Sequence, residues 1–208
     1  MRAAFAWLGL AIAQLSCAEP MEGVDYVQVE PRAAVAVGPV EVIEFFYYGC
    51  GACARFEPAF EAWRRGLGAD VRVRRVPVAD DAPRWLALSR LYFALERLNL
   101  VDLLHADAFR AIHQRNRNLS SRAEQIAWTQ DAGIDSARFE TTLDSIEVDR
   151  AVHAARDLRA NYRVHSTPSL VVDGHYLTSG AITGDLGTLI PVTEGLIDKV
   201  RRERDASK

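Results

Sequence analysis

The stretch Val40-Glu41-Val42-Ile43-Glu44-Phe45-Phe46-Tyr47-Tyr48-Gly49-Cys50-Gly51-Ala52-Cys53-Ala54-Arg55-Phe56-Glu57-Pro58 decides how the rest of this 208-residue chain is understood. Val40 to Tyr48 is apolar on both faces apart from Glu41 and Glu44, the pattern of a strand covered on both sides. A glycine ends it, and the two cysteines follow on what reads as the first turn of a helix. The sulfurs are therefore expected at a strand-to-helix junction. There the first helical N–H groups lack intrahelical partners and the macrodipole adds partial positive charge, and both favour thiolate over thiol. Cys50, nearer the mouth of the turn, is the expected nucleophile, with Cys53 one turn on as its resolving partner. Glu44 has two readings. Buried near the cysteines, it would have a raised pKa and could ferry a proton to or from Cys53. At a solvated strand end it would be only a charge. Its neighbours Ile43, Phe45 and Phe46 leave little room for water, which favours the first.

Three plainer readings compete for the cysteine pair. Structural zinc needs about four ligands; the chain has three cysteines, and none of His105, His113, His153, His165 and His175 forms a paired spacing with another. A purely structural disulfide across so short a loop would contribute only about 2 kcal/mol, against about 3 for a fifteen-residue loop. An inert pair of core thiols is disfavoured because Gly49 and Gly51 imply an open turn rather than a packed interior.

Around this stretch the chain is ordinary globular material, 49% hydrophobic and 25% charged, without internal repeats. Residues 1–18 read as a secretory signal peptide: Arg2, an unbroken apolar run from Ala3 to Ala13, and the small residues Ser16-Cys17-Ala18 before Glu19. The run is too short to span a bilayer. Its removal leaves two cysteines in an oxidising compartment and makes the chain one unit more negative than its formal −3. Cys17 has an alternative reading as a lipid-modified first residue. Mild acidity, with no basic block beyond Arg201-Arg202-Glu203-Arg204, argues against nucleic acid as a partner.

Met21, Val24, Tyr26, Val27 and Val29 suggest a short edge strand before the punctuation of Pro31 and Gly38-Pro39. Cys50 to Gly66 is the expected helix, with Phe56, Phe60 and Trp63 on one face and Pro58 expected to kink it. Asp70 to Val78 reads as a second strand whose arginines line a wetted face. From Pro83 to about Tyr162 the period changes to that of helices. Trp85, Leu88, Leu91, Tyr92, Leu95 and Leu98 form one stripe, and Val101, Leu104, Phe109 and Ile112 a second. Ser121-Arg122-Ala123-Glu124 reads as a capping box, Asp135 can cap a further helix, and Val148, Val152, Ala155 and Leu158 stripe the last. The sheet resumes at Thr167-Pro168, with Asp173-Gly174 between two β-rich runs as a hairpin signal. Pro168 opens the first of these strands, where a cis bond would fix a sharp turn and a trans-proline loop is the alternative. Asp185 to Arg204 ends the chain as a helix bent at Pro191.

Cys50-x-x-Cys53 after a buried strand, Pro58 five residues on, and Thr167-Pro168 before a strand-Asp173-Gly174-strand hairpin resemble the thioredoxin superfamily in the family's order. With the leader, the helical insertion and Glu44-Phe45-Phe46 ahead of the cysteines, the chain is similar to the DsbA family of periplasmic thiol:disulfide interchange proteins. The resemblance implies an α/β, thioredoxin-like fold with a helical insertion domain. In these terms 19–82 is the first part of the thioredoxin-like domain, 83–162 the insertion and 163–208 the second part. It further implies that Cys50 attacks, that Cys53 is the buried thiol, that Thr167 and Pro168 form a cis loop facing them, and that Glu44 and Glu57 are the acids near the pair. Reoxidation by a membrane quinone-linked partner is likewise implied by the resemblance alone.

One departure matters. The family usually carries Pro-His between its cysteines, and that histidine helps to stabilise the thiolate; here Gly51-Ala52 offer backbone N–H groups only. Attacking thiols of the superfamily range from a pKa of about 7 in thioredoxin to about 3.5 in DsbA. That gap corresponds to about 4 kcal/mol, or roughly 90 mV of redox potential. Losing the histidine is expected to make this chain less oxidising than the type member. The resulting expectation is a periplasmic oxidoreductase that donates its Cys50–Cys53 disulfide to folding secreted proteins. The alternatives are a secreted dithiol reductant or cytochrome-maturation thiol donor of the same fold, and a Cu(I)-delivery protein. Two thiolates could suffice for the last, although Met1 and Met21 are the only methionines.

Overall fold

A computed structural model describes residues 19–30, 38–80 and 82–207. The leader expected at 1–18, the lipidation alternative at Cys17 and the break at Pro31 lie outside the described residues. Strands β1 (Val27–Gln28), β2 (Val40–Phe46), β3 (Val71–Pro77), β4 (Ser169–Val172) and β5 (Tyr176–Ser179) form one sheet in the order β1-β5-β4-β2-β3. β2 pairs parallel to β3 and antiparallel to β4, so that Glu44 stands opposite Arg75 on one side and Leu170 on the other. The strand expected near the N-terminus shrinks to the two residues of β1 on the sheet edge. Tyr26, just before it, is buried edge-on against Tyr176 with ring centroids 5.2 Å apart.

The continuous apolar run of β2 is explained by what covers it. Val40 and Val42 pack on Phe56 and Phe60 of α1 (Gly51–Arg65). Ile43 and Phe45 pack into the core shared with the helical layer. That layer is α2 (Pro83–Arg97), α3 (Val101–His113), α4 (Arg122–Asp131), α5 (Ser136–Leu143) and α6 (Ile146–Asn161), all between β3 and β4 as the change of period predicts. Leu88, Leu91 and Leu95 of α2 and Val148 and Val152 of α6 are buried, each such burial stabilising by roughly 1.5–3 kcal/mol.

Helix ends follow the sequence unevenly. Asp135 caps α5 by accepting from the Arg138 N–H at 2.7 Å, as its position predicts. The box at Ser121 does not close: the Ser121 side chain makes no cap bond, and Glu124 is drawn away to Arg117, which also holds Asp131 at 2.6 Å. Arg117 brings a full positive charge to the Glu124 carboxylate, where a backbone N–H offers only a partial one. α1 continues through Pro58. After α7 (Gly180–Thr183), a short 3₁₀ turn over Leu186–Thr188 precedes α8 (Leu189–Ala206). Pro191 therefore falls in the first turn of α8, where a proline is tolerated, and not at a mid-helix bend. Asp173 and Gly174 have φ of +53° and +69°, the left-handed pair that a type I′ hairpin requires. No helix among the described residues is long and apolar enough to cross a membrane.

Candidate active site

Cys50 is the N-cap of α1. Its own N–H donates to the Tyr47 carbonyl at 2.9 Å, and its Sγ accepts from the Cys53 N–H at 3.2 Å. The chain brings Thr167 to the same place from 117 residues away: the Cys50 thiol points at the Thr167 carbonyl oxygen, 3.3 Å distant. The Thr167-Pro168 peptide bond is cis. Cys50 is half-buried and Cys53 is 1% exposed, and both are free thiols.

The two sulfurs have opposite electrostatics. The Cys53 thiol, the Thr167 side chain and the backbone N–H groups of Cys53 and Ala52 all stabilise a Cys50 thiolate. Against the opposing effect of burial they pull its pKa down to about 5. Burial, and then the adjacent Cys50 sulfur, push Cys53 well above the usual thiol range. Uncharged donors at a helix N-terminus thus do at Cys50 the work expected of them. One of the two glycines differs from the open turn read in the sequence. Gly51 is open, a Cβ there meeting only Arg55 Nη1 at 3.6 Å. At Gly49 a Cβ would stand 2.5 Å from the Tyr47 ring, which is itself stacked on Trp85 at 3.8 Å. Gly49 is a close-approach glycine.

Glu44 is buried, and its hydrogen-bond partner is Arg75, whose Nε donates to Oε2 at 3.1 Å. Burial raises its carboxyl to about 7, with Arg75 opposing and Glu57 adding to the rise. Arg75 also donates through Nη2 to Glu57 and Glu61, at 2.9 Å each, and lies over the Phe60 ring at 5.6 Å. Glu57 is likewise pushed up to about 7 by burial. Glu61 escapes, because hydrogen bonds from Arg64, Arg75 and Arg65 outweigh its desolvation and bring it down to about 2. Arg75 is thus a buried hub, and the wetted face read for its strand holds only for Arg72 and Arg74. The alternation could have shown it: Val71, Val73 and Arg75 share one face of β3, so Arg75 sits in the apolar phase. His105 was also missed as a site residue. It falls on the stripe of Val101, Leu104 and Phe109, and its Nδ1 is 2.9 Å from the Tyr48 hydroxyl. Burial, reinforced by Arg75, lowers its pKa to about 3.

A family model described as thioredoxin matches residues 36–190. Over 203 residues the chain is 34% identical to the thiol:disulfide interchange protein DsbA of Burkholderia cepacia, covering 95% of this chain and 94% of that relative. The chain belongs to the DsbA family. The family's protein from Pseudomonas syringae pv. tomato is 32% identical over 193 residues, covering 92% of this chain and 90% of that relative. The crystal structure of Pseudomonas aeruginosa DsbA superposes with a TM-score of 0.82 at 28% identity, covering 88% of this chain and 95% of that one. The oxidoreductase DsbA from Xylella fastidiosa gives 0.80 at 30% identity, over 88% and 98%. As a DsbA-family member the chain is a thiol:disulfide oxidoreductase with a thioredoxin-like fold and a helical insertion, as its motifs predict.

Proposed function

We propose that this DsbA-family protein donates its disulfide to secreted proteins folding in the periplasm, reached through the leader at 1–18. A client thiolate attacks Cys50 of the Cys50–Cys53 disulfide, the S–S electrons leave on Cys53, and a mixed disulfide joins client and Cys50. A second client thiolate then attacks the client sulfur of that bond and expels Cys50. The client gains a disulfide, and two electrons remain here as the dithiol. The observation that carries the reading is the placing of Cys50 Sγ, which accepts from the Cys53 N–H and faces Thr167 at 3.3 Å. A thiol held near pKa 5 is a good leaving group at neutral pH. A reduced form so stabilised also makes the disulfide a willing oxidant. Thr167 and Pro168 form the wall across which the client approaches. Glu44, joined to Glu57 through Arg75, belongs to the buried acids that manage the proton of Cys53. A membrane quinone-linked reoxidase completes the cycle.

Cys50→Ser is expected to abolish disulfide donation to a reduced two-thiol client, whereas Cys53→Ser is expected to accumulate mixed disulfides on non-reducing gels. Donation by the Cys50→Ser protein would refute the reading. Equilibration of the couple with glutathione then gives its direction, an oxidant remaining reduced under conditions that oxidise a reductant.

A further inference from the structure

Glu57 follows Cys53 by one turn of α1, so the two side chains share a helix face with Cβ atoms about 5–6 Å apart. Glu57 Oε1 is engaged by Arg75. Its Oε2 faces His105 Nε2 at 3.3 Å, and neither of these two atoms makes a hydrogen bond among the described residues. Both residues are deeply buried, at 4% and 2% exposure. The imidazole is fixed from behind by Tyr48 and boxed by the rings of Phe46 and Phe109, with centroids 4.9 and 5.3 Å away. Two buried polar atoms facing each other unpaired are costly.

A neutral imidazole can serve that place in either charge state of Glu57. With its proton on Nε2 it donates to a carboxylate and accepts from Tyr48 at Nδ1. With the proton on Nδ1 it donates to the Tyr48 oxygen and accepts from a protonated carboxyl. The charged and titratable groups around the ring are Glu44 from β2, Tyr48 beyond its end, Glu57, Glu61 and Arg64 from α1, Arg75 from β3 and Tyr92 from α2. On α3 itself His113 holds the Tyr48 carbonyl. Burial and Arg75 keep His105 neutral near pH 7, so the change of charge falls on Glu57.

We propose that His105 is a positioning residue that carries the Glu57 carboxyl through its change of charge, enabling Glu57 to supply the proton that Cys53 takes up when the disulfide opens. The proposal rests on the exchange reaction described above. As the client thiolate bonds to Cys50 and the S–S electrons collect on Cys53, the proton of the Glu57 carboxyl passes to Cys53 Sγ. Glu57 remains as a carboxylate facing His105. It regains a proton from water in the groove of about 350 Å³ between α1 and α3, which Glu57, Pro58, Phe109 and His113 line.

The test is carbon-13 NMR of the Glu57 carboxyl through its titration in the reduced protein, assigned with Glu57→Gln, alongside the rate at which a small peptide thiol opens the disulfide. His105→Leu is expected to move the titration upward by about one unit, because the bond lost to a carboxylate is the stronger one. With Glu57 a weaker acid, it is also expected to slow opening a few-fold in mildly acidic solution, where both proteins hold the Glu57 proton. His105→Gln, which can present either a donor or an acceptor, restores both, and Tyr48→Phe shifts the titration upward by less. A His105→Leu titration superimposable on wild type overturns the proposal. Should that variant not fold, an unshifted Tyr48→Phe titration overturns it equally. A wild-type protein that donates disulfides normally beside an unmoved Glu57 titration refutes this inference alone, whereas donation by Cys50→Ser refutes the reaction beneath it.

Discussion

The two ends of the first turns of α1 set charge in opposite ways. At the mouth, half-open to solvent, Cys50 meets only uncharged donors, and these suffice to bring its thiol down to about 5. Two turns deeper, Glu57 and its neighbour Glu44 on β2 have a full guanidinium between them, yet both are raised to about 7. The difference lies in the solvent each group has lost. A carboxylate taken from water into the core forfeits more than one shared arginine returns, whereas a thiolate at a helix N-terminus keeps part of its hydration and gains directed N–H groups. Strong acidity at this site is therefore a property of an exposed helix end, and weak acidity a property of the floor beneath it.

The sharpest way to break that comparison is to remove the hub. Arg75→Met leaves buried carboxyls without their cation and is expected to cost about 3–5 kcal/mol in mildly alkaline solution, shrinking in mild acid where the carboxyls are protonated. Urea denaturation at both pH values measures it. Next comes alkylation of the reduced protein: Cys50 should react with a midpoint near pH 5 while Cys53 stays inert. Because the folded-state value lies below the unfolded one, the Cys50 thiolate stabilises the reduced native state at alkaline pH, and that contribution is lost as pH falls through 5. A Cys50 profile matching free cysteine would erase the contrast between mouth and floor. The smallest effect is on Glu44→Gln. With its folded-state pKa raised from 4.5 to about 7, Glu44 contributes stability fully below pH 4.5 and loses it as pH rises through 7. The variant should therefore lose less stability than wild type between mildly acidic and mildly alkaline solution, by about 1–2 kcal/mol, read from denaturation midpoints. Equal slopes for the two proteins would place Glu44 in a wetter setting than its burial indicates.

The fold was legible wherever a local rule had no rival. β2 reads as covered on both sides because it is, the insertion announces itself by its period, and Asp173-Gly174 tolerates the two positive φ angles that its tight turn requires. Legibility failed where a side chain outside the local rule competed. Ser121 and Glu124 have the spacing of a cap, but Arg117 takes the glutamate. Gly49 looks like an open turn until Tyr47 folds back over it. In the site, Cys50 and Cys53 are visible in the motif, and Glu44 is visible as a buried acid. Its pairing with Arg75 is not, since consecutive arginines in a strand suggest solvent unless the phase of each is counted.

The amino-acid order by itself determined which atoms can react: two thiols three residues apart at the start of a helix, where backbone geometry alone supplies the donors. What only the folded chain decided is which groups surround them. Thr167, Arg75 and His105 are remote in sequence, and their nearness to the cysteines or to the acids of α1 depends on how β3, α3 and the cis-proline loop pack against α1. Desolvation is a property of that packing and not of any residue. The values near 5 and near 7 that separate the mouth from the floor could not have been assigned from the order of residues.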